Sequence, residues 1–116
     1  MSLKSFRLKT YDTSTSTGTG AFTIDQNPAG LGGVGAGAGD QTQLTITDGA
    51  GNYEVVLVTL TISGGVMSFS RDTVVASSNG GAKVNFAAGI KTVLNYVPDS
   101  LRDLLLRLGL PTRFFF

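Results

Sequence analysis

YEVVLVTLTISGGVMSFSRDTVVAS, Tyr53 to Ser77, is the stretch on which the fold turns. In its first ten residues Tyr53, Val55 and Leu57 lie on one face of an extended chain, and Val56, Val58, Leu60 and Ile62 lie on the other. Both faces are apolar, so both need cover, and the β-branched content favours strand over helix. Ser63-Gly64-Gly65 turns the chain, and Met67 and Phe69 then share a face in VMSFSR. DTVVAS leads on to SNGG. Asn79-Gly80 is the strongest hairpin signal in the chain, because both central positions of a tight two-residue turn need φ > 0. AKVNF, with Val84 and Phe86 on one face, is expected to pair back across that turn.

The same rhythm runs through the rest of the chain. SFRLKTY (5–11) reads as a first strand or arm, and DTSTSTGTG (12–20) as a linker or a Thr-rich edge strand. AFTID (21–25), QLTIT (43–47) and IKTVLNYV (90–97) complete the strand-like runs. Gly-rich turns punctuate them about every ten residues, which predicts an all-β fold: a small antiparallel β-sandwich or barrel. Pro98 ends the last strand. Ser100 is a good N-cap for DSLRDLLLRLG, where Leu101, Leu104, Leu105 and Leu108 fall at i, i+3, i+4 and i+7. A helix that short is not stable alone in water, so it has to dock. PTRFFF is expected to be an extended tail in which Phe114, Phe115 and Phe116 are buried anchors, either folded back on their own domain or inserted into a neighbouring subunit. The expected organisation is an arm or first strand over 1–20, a β core over 21–97, and a helix with an aromatic tail over 98–116.

Chemistry is thin. The chain has 116 residues, a net charge of +1, and no His or Cys. Ser-His-Asp and Cys-His nucleophiles are therefore unavailable within it, as are zinc sites built on those ligands. A near-neutral charge gives no pull toward nucleic acid, and no apolar run approaches the length of a membrane span. The start, MSLKSFRLKTYD, has no apolar region behind its basic residues, so the expectation is a soluble chain without an export signal. GLGGVGAGAGD (30–40) leads into a strand, whereas a phosphate loop opens a helix. DGAGN (48–52) lacks the ligand alternation and terminal Glu of a calcium loop. Glu54 is the only Glu and is expected to face out or pair with a nearby cation; Ser77 and Ser78 are expected to act as turn hydrogen-bonders. No cofactor, metal or catalytic residue is expected.

Four segments carry a resemblance. Thr15 to Gly20 (TSTGTG), Tyr53 to Val55 (YEV), Arg71 to Asn79 (RDTVVASSN) and Val84 to Val93 (VNFAAGIKTV) resemble small virion proteins of tailed bacteriophages and the N-terminal modules of some phage tail fibres. The resemblance spans roughly residues 7–97. It implies a non-enzymatic virion component on the tail or baseplate that attaches a fibre or spike. The implied partners are other virion proteins, in a homo-oligomer with a trimer favoured. Two other roles remain open: a capsid decoration (cement) protein, and a carbohydrate-binding module using Tyr11 and Tyr53. Where the family often has glycines after Glu-Val, this chain has Val56 and Val58, and it has Tyr53 where Trp is common. The Leu-rich segment and PTRFFF lie beyond the module. Val56, Val58, Leu101, Leu104, Leu105, Leu108 and Phe114 to Phe116 are accordingly the expected partner-interface residues.

Overall fold

A computed structural model of the chain describes residues 9–25, 30–31, 36–98 and 101. Six strands form one antiparallel sheet: β1 Tyr11–Ser14, β2 Phe22–Thr23, β3 Gln41–Thr47, β4 Tyr53–Ser63, β5 Val66–Ser77 and β6 Lys91–Leu94. The order across the sheet is β1-β6-β3-β4-β5-β2. The two edges then meet. Asp25 N donates to Thr13 O at 2.7 Å, Ser14 Oγ to Thr23 O at 2.6 Å, and Thr23 N to Ser16 Oγ at 2.9 Å. The sheet is thereby curled into a nearly closed barrel, which leaves little unpaired edge.

Strand β1 is the start of the Ser/Thr tract, and it pairs with β6 from Tyr11↔Leu94 to Ser14↔Lys91. It belongs to the barrel and is not a separate arm. Lys91 is buried and its Nζ donates to Ser16 O at 2.7 Å, tying the tract down further along. The β4–β5 hairpin is the backbone of the sheet, turning on Gly64 and Gly65 with φ of 58° and 79°.

The interior follows strand parity. Leu44 and Ile46 of β3, Val56, Val58 and Leu60 of β4, Met67 and Phe69 of β5, Val93 of β6, and Phe22, Ile24, Val84 and Phe86 make one cluster. Val56 and Val58 are 0% and 1% exposed within it. The expectation that these two valines face a partner is therefore corrected: they share the inward parity of β4 and fill the barrel.

Two register shifts in β5 decide what else points inward. Leu60↔Phe69 and Val58↔Arg71 are followed by Leu57↔Thr73 and Val56↔Val74, then by Val55↔Ala76 and Glu54↔Ser77. Asp72 and Val75 are the extra residues, and each bulge reverses the inward parity of the residues after it. Arg71, Val74 and Ser77 thus all join the inner side.

The expected hairpin at 71–86 forms only in part. Gly80 and Gly81, not Asn79 and Gly80, carry the positive φ values, 63° and 87°. Ser77 Oγ takes hydrogen bonds from Asn79 N and Gly81 N and donates to Ala82 O. The returning residues 82–86 make no ladder with β5; Phe86 bridges to Gly18 instead.

Gly30 is a third special position. A Cβ there would overlap the carboxylate of buried Asp12, whose Oδ2 accepts Leu31 N at 2.9 Å. Gly30→Ala is expected to cost about 1–3 kcal/mol by overpacking, read as a lower midpoint in urea with an unchanged slope.

Candidate functional site

On the inner side of the barrel, Glu54 on β4 and Arg71 on β5 form a fully enclosed ion pair. Arg71 stands opposite Val58, so it is two inward positions from Glu54, and its long side chain spans that gap past Val56. Arg71 Nε donates to Glu54 Oε2 at 2.8 Å, and its Nη2 donates to Glu54 Oε1. Nη2 also donates to Val84 O at 2.7 Å, while Nη1 donates to Gly18 O at 2.9 Å and Gly20 O at 3.4 Å. Glu54 Oε1 accepts Val84 N at 2.8 Å. The guanidinium lies 4.9 Å from the Phe22 ring and 5.5 Å from the Phe86 ring. Phe22 in turn packs against Phe69 and Phe86 at 5.9 and 5.7 Å between centroids.

This geometry explains the missing ladder at 82–86. Val84 donates to a carboxylate and accepts from a guanidinium, so the two side chains stand in for a neighbouring strand. A buried charge pair is tolerable only when its remaining donors and acceptors are used. Here each guanidinium nitrogen and each carboxylate oxygen has a protein partner. Chemically the pair is a clamp: it holds β4, β5, the Gly18–Gly20 stretch and the Val84–Phe86 stretch together. Both side chains are 0% exposed, and their hydrogen-bonding groups are turned on the protein itself.

The clamp has a further property. Its members, Gly18 and Gly20, Glu54, Arg71, and Val84 with Phe86, come from four separate segments: TSTGTG (15–20), YEV (53–55), RDTVVASSN (71–79) and VNFAAGIKTV (84–93). Of the two expected placements of Glu54, facing out or pairing with a nearby cation, the structure has the second, with Arg71 as the cation; that the pair is buried inside the barrel was not expected. A usable signal existed, because Glu54 shares the parity of Val56, Val58 and Leu60.

The DGAGN turn is also self-satisfied. Asp48 accepts Ala50 N at 2.8 Å and Asn52 N at 3.2 Å on one oxygen, and Asn52 Nδ2 at 2.7 Å on the other. Slight burial pushes its carboxyl up, but the Asn52 side chain and the backbone N–H groups outweigh this and hold it below the ordinary value. Among the described residues no group of three or more His, Cys, Asp or Glu side chains comes together as a metal site.

The outer face of the sheet carries a second apolar cluster. Val55, Ala76, Val97 and Leu101 are buried together, with Tyr53 and Val75 against them. Leu101, expected at a partner interface, thus packs on its own barrel. A groove of 310 Å³ lies beside it, lined by Thr47, Asn52, Tyr53, Pro98 and Leu101 among others. Tyr11 is half exposed, and Ile62 and Val66 are exposed at the β4–β5 hairpin tip. Leu104, Leu105, Leu108, Phe114, Phe115 and Phe116, and the helix expected to carry the leucines, lie outside the described residues.

No family model, curated protein or solved structure matches the chain.

Proposed function

We propose that this protein is a structural, non-enzymatic component of a tailed-phage virion. It sits on the tail or baseplate, works as a homotrimer, and joins a fibre or spike to its neighbours. The observation that carries the reading is the convergence of the four pattern-bearing segments on the Glu54–Arg71 clamp. Residues that keep a barrel rigid are what an assembly module needs at its centre. The clamp's polar groups are directed at its own chain, which suits a scaffold better than a reacting centre. Contacts with other virion proteins then fall to parts outside the clamp, with Phe114 to Phe116 as the joining anchors.

The test is imaging of particles that carry a tagged copy of the chain. Label at the tail or baseplate is expected. Label over the head favours the capsid-decoration alternative, and particles without label overturn the virion reading.

A further inference from the structure

We infer that Asn79 is a modification site, where the folded chain converts a side-chain amide to a carboxylate by attack of its own Gly80 backbone nitrogen, with water as co-reactant. The turn that carries it is exposed from Ser78 to Lys83. Ser77 Oγ takes hydrogen bonds from the N–H groups on either side of Gly80, Asn79 N at 3.2 Å and Gly81 N at 3.1 Å. The Gly80 N–H between them has no hydrogen-bond partner among the described residues. Gly80 has a φ of 63° and no side chain of its own to shield that nitrogen. The electrophile beside it is held in place, because Asn79 Nδ2 donates to Lys83 O at 2.9 Å.

The other amides and the other acid-glycine step lack this combination. Asn27 precedes a proline, which has no N–H to lose. The nitrogen after Asn52 is engaged, since Tyr53 N donates to Ser78 Oγ at 3.0 Å. The nitrogen after Asn85 is engaged too, since Phe86 N donates to Gly18 O. Asn95 is buried, and its Oδ1 accepts Thr10 N. Asp48 is followed by glycine, but its oxygens take hydrogen bonds from Ala50 N, Asn52 N and Asn52 Nδ2, and an ionised carboxylate resists attack.

The step balances with water. The Gly80 nitrogen gives its proton to solvent and bonds to Asn79 Cγ, closing a succinimide ring. The Cγ–Nδ2 bond breaks, and ammonia leaves with a proton from solvent. Water then adds at Cγ, which gives aspartate, or at the Asn79 backbone carbonyl carbon, which gives isoaspartate. Nothing is oxidised or reduced. The product carboxylate cannot donate to Lys83 O, and its charge cancels the chain's formal net charge of +1. The turn is thereby loosened beside Val84, while the clamp still holds the Val84 N–H and C=O. The chemistry is the same whether or not the barrel belongs to a virion.

The full chain is held folded in mildly alkaline buffer, and a parallel sample is held unfolded in guanidinium. Both are sampled over time and mapped by peptide mass spectrometry with fragmentation that tells aspartate from isoaspartate. In the folded sample Asn79 is expected to convert to both products while Asn52, Asn85 and Asn95 stay intact. Its rate is expected to match that in the unfolded sample, because the turn leaves the Gly80 nitrogen open. An intact Asn79 in the folded chain, or conversion there far slower than in the unfolded chain, overturns the inference. Asn79→Asp reads the consequence separately. Loss of the bond to Lys83 O is expected to lower Tm by about 2–6 °C; an unchanged Tm contradicts the loosening of the turn.

Discussion

Arg71→Met is expected to destabilise the protein by about 3–5 kcal/mol, the cost of leaving one member of a buried pair alone. That is a large share of the roughly 5–15 kcal/mol that holds a domain of this size together. The variant loses more than the ion pair, because Val84 O, Gly18 O and Gly20 O lose their donor and the guanidinium no longer lies over Phe22 and Phe86. Equilibrium urea unfolding at neutral pH measures it. The double variant Glu54→Leu with Arg71→Met is the sharper comparison. Replacing both members of a buried pair by apolar residues is often neutral or stabilising. Here the double variant is expected to stay about 1–3 kcal/mol below the parent, because Val84 N and O are left buried without partners. Full recovery in the double variant would show that Val84 finds other partners and that the clamp is not what holds residues 82–86.

Phe22→Ala is expected to cost about 3–5 kcal/mol, the range for deleting a buried aromatic side chain. Phe22 is fully buried, lies between Phe69 and Phe86, and faces the guanidinium. It is also one of only two residues in β2, the short strand next to the barrel's seam. Cavity formation and a loosened seam therefore act together. Hydrogen exchange separates them: amides of β2 and of Asp25, whose N–H bonds Thr13 across the seam, are expected to lose protection more than those of β3. Uniform loss of protection would mean that Phe22 serves the core alone.

The strand pattern was legible because apolar parity and Gly turns act locally. β3, β4, β5 and β6 all lie within or across the runs marked by Leu44 to Ile46, Val55 to Ile62, Met67 to Phe69 and Val93. β1 was harder to place: a Ser/Thr tract has no apolar parity, and its pairing is fixed by the distant β6. The two bulges in β5 were invisible for a similar reason. Nothing in SRDTVVAS marks Asp72 or Val75 as extra; their placement answers to Arg71, Val74 and Ser77 all turning inward. The clamp itself joins residues far apart in sequence, so only its ends could be read. A lone Glu on the apolar parity of β4 and an Arg two positions beyond Phe69 were the available marks. The valines at 56 and 58 misled because a strand apolar on both faces shows that both are covered, but not by what. Interior packing covers one face. Val97 and Leu101 begin the cover of the other.

The proposed function separates a barrel that stands by itself from a terminus that joins it to others. Deletion of residues 111–116, which removes Phe114, Phe115 and Phe116 and leaves the Leu-rich stretch, tests that separation most directly. The truncated chain is expected to unfold cooperatively with the parent midpoint, to run as a monomer by light scattering where the full chain is expected to run as a trimer, and to be missing from purified particles. A truncated chain that still forms trimers and enters particles at the parent level would contradict the separation, because the joining surface would then lie on the barrel.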